Sequence, residues 1–173
     1  MAFIKLTLVT FGLLYAAALS GMYAFQRDLQ YFPTRRDPAP ETLGLSGVET
    51  VALATADGET LVLWFSPPEA GRPVILFLHG NAGEIADRAD RLAFYQARGY
   101  GTAFLSWRGY GGSTGSPSET GLLTDTKAAY DYLRGLGVPP DRIVLVGESL
   151  GTGPAVITAA ANPVAAVILE APY

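Results

Sequence analysis

The chain contains 173 residues, of which 49% are hydrophobic and 16% are charged, and its formal net charge is −4. This length allows one domain of ordinary size, and the negative charge argues against a nucleic-acid partner. The absence of cysteine excludes disulfides, iron–sulfur clusters and cysteine-based zinc sites, and the single histidine excludes a metal site built from several histidines.

The first element is an apolar segment near the N-terminus. Residues 6–25 carry no charge, and a helix of that length spans ~30 Å, the thickness of a hydrocarbon core. We therefore predict a membrane anchor within residues 1–26. Two other interpretations stay open, namely a signal peptide cleaved near residues 18–20 and a buried helix of a soluble protein.

The basic residues around this segment bear on its orientation. Lys5 precedes the segment, whereas Arg27, Arg35 and Arg36 follow it. An uncleaved anchor with this bias places the following domain on the cytoplasmic side, and a cleaved signal peptide places it on the opposite side. The sequence leaves the side of the membrane open.

Residues 27–47 are predicted to form a linker, because Pro33, Pro38 and Pro40 disfavour regular structure. The remaining residues, 48–173, alternate between strand-like and helix-like segments. The predicted strands are 48–54, 60–66, 73–78, 101–106, 142–146 and 164–169, and the predicted helices are 84–98, 117–135 and 150–161, with Ser118 as the N-cap of the second.

The pattern of these segments predicts an α/β sandwich. The first two strands flank Asp57-Gly58, a hairpin signal, and the later strands are apolar on both faces, as in a parallel sheet covered on both sides. In such a sheet, ligands bind beyond the carboxyl ends of the strands. We therefore expect the functional residues directly after the buried strands.

One such position carries the pattern G-x-S-x-G, in residues 147–151. A serine on so tight a strand-to-helix turn has a strained backbone, and Gly147 and Gly151 allow the chain to pass. The following helix directs N–H groups and its positive dipole end toward the serine hydroxyl. The pattern favours Ser149 as a nucleophile, and the alternative is a tight turn that Ser149 only caps.

A second position, after the strand 73–78, carries the sequence HGNAG in residues 79–83. Its glycines allow close approach of the backbone to a ligand. The N–H of Asn81, together with the N–H of Leu150, would form a two-donor oxyanion hole if the two loops are neighbours.

From about residue 48, the chain resembles the N-terminal part of an α/β-hydrolase. The resemblance rests on HGNAG, on RGYGGS at 108–113, on PSE at 117–119 and on GESLGTGPAV at 147–156. Together with the N-terminal apolar segment, these motifs resemble the membrane-anchored serine hydrolase branch that includes protein depalmitoylases and aminopeptidase-like relatives.

The resemblance implies a mostly parallel α/β-hydrolase sandwich with antiparallel N-terminal strands, no cofactor, and a small-molecule or lipid-like acyl substrate. It also implies roles for seven residues. These are Ser149 as nucleophile, Asn81 and Leu150 as oxyanion-hole amides, and His79, Gly80, Gly147 and Gly151 as supporting residues.

The catalytic triad that the resemblance implies is incomplete in this sequence. Such triads run in the order serine, acid, histidine, yet the 24 residues after Ser149 contain neither aspartate nor histidine. Glu170 is the one acid among them, and we expect it to be a loop carboxylate, with triad acid as the alternative. His79 is the one imidazole, and we expect it to order its own loop, with general base as the alternative.

The expected length leads to the same interpretation. A complete hydrolase of this type needs roughly 80–120 further residues to carry the acid and the histidine. We therefore expect a fold that is incomplete at its C-terminus, with the rest of the triad beyond residue 173. The rival hypothesis is a non-catalytic pseudo-hydrolase that binds a ligand or partner through the same scaffold.

Charged residues elsewhere are given structural interpretations. Arg108 and Asp125 are expected to pair or to cap near the serine turn, with a supporting role at the site as the alternative. The charged residues of the predicted helix 84–98 are expected to form a solvated face, and they are Asp87, Arg88, Asp90 and Arg91.

Overall fold

The computed structural model describes residues 1–172, and the chain divides into two compact units, the second of which begins at Pro33. The first unit consists mainly of helix α1 (Ala2–Gln30), which continues beyond the predicted boundary at residue 26. This helix is long and apolar enough to cross a membrane, a property that a signal sequence shares.

The second unit is built on a six-stranded sheet. Its strands are β1 (Glu49–Ala54), β2 (Thr60–Ser66), β3 (Val74–Leu78), β4 (Gly101–Leu105), β5 (Ile143–Glu148) and β6 (Ala166–Glu170). They lie in the order β1-β2-β4-β3-β5-β6. The β1–β2 and β2–β4 pairs are antiparallel, and β4, β3, β5 and β6 are mutually parallel. The predicted mostly parallel sheet with an N-terminal hairpin is confirmed.

Three α-helices and several 3₁₀ turns connect these strands. They are α2 (Ala89–Gln96), α3 (Glu119–Gly135) and α4 (Thr152–Ala161), with 3₁₀ turns at Pro40–Leu43, Ile85–Arg88, Pro140–Arg142 and Ser149–Gly151 and two-residue extended segments at Phe32–Pro33 and Ala82–Gly83. Ser118 caps α3 as predicted, because its side chain accepts a hydrogen bond of 3.2 Å from the N–H of Gly121.

The predicted helix 84–98 is shorter in the structure than in the sequence pattern. Its first turn is the 3₁₀ segment Ile85–Arg88, in which Glu84 and Asp87 form a reciprocal capping box. The α-helical part ends at Gln96, shortly before Gly99 takes a φ of +75°. Left-handed glycine is a common helix terminator.

Strand β3 lies at the centre of the core. Ile75 and Phe77 belong to an apolar cluster that includes Leu92 of α2, while Leu76 and Leu78 between them are also fully buried. Burial on both faces explains why this strand is a continuous apolar run rather than an alternating one.

The predicted linker 27–47 contributes to the second unit from Pro33 onward. Leu45 is buried in the core cluster. Arg36 forms ion pairs with Glu84 at 3.1 Å and Asp87 at 2.7 Å. This part of the segment therefore packs on the domain and includes the 3₁₀ turn Pro40–Leu43, whereas the sequence predicted a linker without regular structure.

Strand β6 lies at the edge of the sheet and is largely exposed. Ile168 and Leu169 are 47% and 40% exposed, and Val156 and Ile157 of the neighbouring α4 are 47% and 48% exposed. This edge of the sheet thus exposes apolar side chains, unlike the covered strand β3.

Candidate active site

Ser149 occupies the strained turn that the G-x-S-x-G pattern predicts. It lies between β5 and the start of α4 with a φ of +46°, a left-handed conformation that costs a non-glycine residue about 1–3 kcal/mol. A Cβ at Gly147 would lie 2.6 Å from the carbonyl oxygen of Gly151, and a Cβ at Gly151 would overlap the carbonyl oxygen of Leu78. The turn therefore requires glycine at both positions.

The residues after Ser149 form the start of a helix. Ser149, Leu150 and Gly151 make one 3₁₀ turn that leads into α4, and the hydroxyl of Thr152 donates to the carbonyl oxygen of Ser149 at 2.6 Å. The first N–H groups of a helix and its dipole create positive potential at this end. Ser149 is thus placed where a developing negative charge is stabilised.

The loop 79–83 lies directly against this turn. A Cβ at Gly80 would be 3.5 Å from the Cβ of Ser149 and 3.2 Å from Oε1 of Glu148. The proximity follows from the topology, because β3 and β5 are parallel neighbours in which Leu78 pairs with Gly147. The structure therefore brings together the two loops that carry Asn81 and Leu150.

His79 is fully buried, and both of its ring nitrogens are engaged. Its Nε2 accepts from the backbone N–H of Trp107 at 3.3 Å, so Nδ1 carries the hydrogen and donates to the carbonyl oxygen of Gly80 at 2.7 Å. Burial, aided by the charge of Arg88, lowers the pKa of His79 to about 3. His79 therefore orders the loop and has no free nitrogen with which to activate Ser149.

Glu170 lies at the end of β6, in register with Glu148 of β5. Its Oε2 accepts from Nη1 of Arg91 at 2.6 Å. This ion pair supports the interpretation of Glu170 as a structural carboxylate rather than a triad acid.

Arg108 pairs with Asp125, as expected, and also with Asp57. Its Nε and Nη2 donate to Oδ1 of Asp125 at 2.9 and 2.7 Å, and its Nη1 donates to Oδ2 of Asp57 at 2.7 Å. Hydrogen bonds from Arg108 and Thr55 hold the pKa of Asp57 well below its ordinary range. Asp57, recognised in the sequence only as part of a hairpin turn, thus fastens that turn to the loop after β4.

The predicted solvated face of residues 84–98 is wrong for two of its members. The Arg88 side chain is only 15% exposed and donates to Glu148, and Arg91 donates to Glu170. The partners lie 60 and 79 residues further along the chain, a distance at which helical periodicity contains no information.

The site holds an apolar groove and shows no metal cluster. A groove of about 300 Å³ is lined by Thr152, Val156 and Leu169 among others, between the first turns of α4 and the end of β6. Within residues 1–172, no group of three or more histidine, cysteine or acidic side chains is arranged to hold a metal ion.

Comparison with known families matches residues 75–173 to the alpha/beta hydrolase family. The chain belongs to the alpha/beta hydrolase family. The matched region includes the loop 79–83, the Ser149 turn and the whole parallel part of the sheet.

Among relatives, an uncharacterized protein of Mycobacterium tuberculosis is 37% identical over 91% of this chain. The alpha/beta hydrolase domain-containing protein WAV2 of Arabidopsis thaliana is 37% identical over 92% of it, and protein bem46 of Schizosaccharomyces pombe is 35% identical over 98%. The chain spans 59%, 56% and 58% of the lengths of these three proteins.

Solved structures show the same fold. An esterase of Pyrococcus furiosus superposes with a TM-score of 0.70 at 20% identity, over 83% of this chain and 56% of that one. An alpha-beta hydrolase of Vibrio vulnificus superposes with a TM-score of 0.68 at 26% identity, over 80% of this chain and 52% of that one.

Proposed function

We propose that the protein is a serine hydrolase in which Ser149 forms an acyl-enzyme. The observation that carries this proposal is the left-handed φ of +46° at Ser149, held by two glycines that no larger residue can replace. A protein retains such strain where the conformation serves a function. The neighbouring loop 79–83 and the helix start behind Ser149 supply the surroundings that acyl transfer needs.

In this mechanism, Oγ of Ser149 attacks the carbonyl carbon of the substrate and loses its proton to a general base. The carbonyl oxygen takes the negative charge, and the backbone N–H groups of Asn81 and Leu150 donate to it. The tetrahedral intermediate then expels the alcohol or thiol, which takes the proton from the base, and leaves an ester on Ser149. Water releases the acid by the same steps.

The general base and its orienting acid are assigned to residues beyond 173. His79 is unsuited because its two nitrogens are bonded to Gly80 and Trp107, and Glu170 is paired with Arg91. The chain spans less than two thirds of the length of these three relatives, which is consistent with a histidine and an acid in a C-terminal segment.

The proposed substrate is an acyl ester or thioester, with an amide as a further option. The groove of about 300 Å³ at the start of α4 is lined mainly by apolar side chains, which suits an acyl chain. Helix α1 is proposed to anchor the protein in a membrane, where lipid-like acyl substrates are concentrated, or else to act as a signal sequence.

A second candidate function is a non-catalytic scaffold. It is favoured by the observation that, among residues 1–172, neither the one histidine nor the acid that follows Ser149 is available to activate the nucleophile. In this case the loops around Ser149 would bind a ligand or partner without chemistry.

Ester hydrolysis distinguishes the candidates. We expect the full-length protein to hydrolyse a p-nitrophenyl ester and its Ser149→Ala variant to lose this activity, whereas residues 1–173 alone show no difference between the two forms. A clear difference in the 173-residue chain would show that His79 or Glu170 acts as the base after all. Equal rates for the two full-length forms would favour the scaffold.

A further inference from the structure

Arg88 connects the loop 79–83 to the residue that precedes Ser149. Its Nη2 donates to Oε1 of Glu148 at 2.6 Å and its Nε approaches Oε2 at 3.3 Å. Its Nη1 donates to the carbonyl oxygens of Ala82 and Glu84, each at 3.2 Å. One side chain therefore makes two hydrogen bonds to Glu148 and one to the loop 79–83, together with a local bond to Glu84.

The side chain is enclosed where these bonds are made. It is 15% exposed, and a Cβ at Gly83 would lie 2.9 Å from Nη1. Gly83 has a φ of +77°, so a glycine is required there both for conformation and for space. The loop therefore turns closely around the guanidinium group.

Glu148 in turn lies close to the other end of the loop. Its Oε1, which accepts from Arg88, would be 3.2 Å from a Cβ at Gly80. Asn81 thus lies in a segment that has Glu148 beside Gly80 and is hydrogen-bonded to Arg88 at Ala82. The Arg88–Glu148 pair spans the same gap as the proposed oxyanion hole.

We propose that Arg88 is a positioning residue of the hydrolase, which sets the distance between the loop carrying Asn81 and the turn carrying Ser149. This inference rests on the proposed function of Ser149. The role requires arginine, because its planar group holds donors on three separate nitrogens in a fixed geometry that reaches Glu148 and the loop together, whereas lysine carries its three donors on one nitrogen at the end of a flexible stem. Arg88 touches neither substrate nor reacting atoms, and it acts through the backbone of the loop.

Arg91, three residues further along in α2, provides a matched control. It pairs with Glu170 at 2.6 Å, as Arg88 pairs with Glu148, and is 33% exposed. Its side chain donates a hydrogen bond to Glu170 rather than to the carbonyl groups of the loop 79–83. Loss of Arg91 therefore removes an ion pair to a strand end without releasing the loop.

The test measures kcat and KM for a p-nitrophenyl ester in the full-length protein and in Arg88→Lys, Arg88→Gln, Arg91→Gln and Ser149→Ala, per amount of folded protein. Displacement of catalytic groups by ~1 Å costs on the order of 100-fold in rate. We expect Arg88→Lys and Arg88→Gln to lower kcat by about 10- to 100-fold with little change in KM. Arg91→Gln should retain kcat within about twofold, since it leaves the loop untouched.

Hydrogen exchange supplies a second readout. Amides of the loop 79–83 should exchange faster in Arg88→Lys than in Arg91→Gln, since only the former loses the bonds to Ala82 and Glu84. An inactive Ser149→Ala together with unchanged kcat in both Arg88 variants would overturn the positioning role alone. An active Ser149→Ala would overturn the proposed function and the role of Arg88 with it. If Arg88→Gln does not fold, Arg88→Lys decides by the same criteria.

Discussion

The two flanks of Ser149 differ in burial and in hydrogen bonding. On the flank of β3 and β4, His79 and Trp107 are fully buried and bonded to each other, and Arg88 is bonded to the turn itself. On the flank of β6, the apolar side chains Ile168 and Leu169 are exposed.

This contrast separates two requirements of acyl transfer. The strained serine and the proposed oxyanion donors depend on backbone packing among β3, β5 and α4, and the chain contains all of these elements. Proton transfer depends on a base positioned next to Oγ of Ser149; both ring nitrogens of His79 are engaged in hydrogen bonds, and Glu170 is held in an ion pair with Arg91. The proposed nucleophile can thus be in place while its proposed activation depends on another segment.

The largest expected effect tests how firmly the first flank is fastened. Asp125→Ala should lower the free energy of unfolding by about 3–5 kcal/mol, because it removes the fully buried carboxylate that accepts three hydrogen bonds from Arg108 and leaves only the more exposed Asp57 as its partner. Urea unfolding measures this. The matched control is Asp131→Ala on the same helix, where the exposed pair with Lys127 contributes below about 0.5 kcal/mol. Equal effects in the two variants would contradict this account.

A smaller effect is expected from Gly151→Ala. The new Cβ would overlap the carbonyl oxygen of Leu78, so β3 and the Ser149 turn must move apart, at a cost of about 3 kcal/mol. Gly135→Ala, where no atom lies within 4 Å of the new Cβ, should be neutral or stabilising. Thermal unfolding of the two variants makes the comparison, and a stable Gly151→Ala protein would show that the turn is not closely packed.

The buried histidine predicts a dependence of stability on pH. The pKa of His79 is about 3 in the folded state, below its ordinary value of about 6.5, so the unfolded chain binds a proton that the folded chain rejects. The contribution of neutral His79 to the free energy of unfolding is therefore present above about pH 6.5 and is lost as the pH falls toward about 3. At about pH 5 the free energy of unfolding is lower by about 2 kcal/mol.

Nuclear magnetic resonance measures the pKa of His79 directly, because the chain has one histidine and hence one set of imidazole signals. We expect its chemical shift to stay constant from about pH 8 down to about pH 5. A titration midpoint near 6.5 would show that His79 is accessible, and the contrast between the two flanks would then be lost.

The smallest effect belongs to the second flank. Glu170→Gln removes a half-exposed ion pair with Arg91 and should cost below about 1 kcal/mol. In the full-length protein it should leave ester hydrolysis unchanged within about twofold, since Glu170 is not proposed to take part in catalysis. A loss of kcat with retained stability would instead identify Glu170 as the triad acid.

The sequence predicted those features that depend on local chemistry. The continuous apolar run of β3, the hairpin at Asp57-Gly58 and the cap at Ser118 are each specified by neighbouring residues, and each is present in the structure. The Ser149 turn was predictable for the same reason, because two glycines at a set spacing leave few other conformations.

Contacts between distant segments were not predictable in this way. Arg88 and Arg91 have the spacing of a solvated helix face, and only the sheet order shows that the ends of β5 and β6 bring carboxylates to them. Arg36 likewise lies in a proline-rich segment with no helical or strand period, yet it pairs with Glu84 and Asp87. Ion pairs of this kind depend on topology, which single-residue patterns do not encode.

The nucleophilic role of Ser149 is tested most directly by a serine-directed fluorophosphonate probe. The full-length protein is incubated with the probe, and the modified residue is located by mass spectrometry, with Ser149→Ala as the control. Our account predicts one adduct, on the peptide that contains Ser149, and none in the variant. A folded protein that stays unlabelled, or that carries the adduct on another residue, would contradict it.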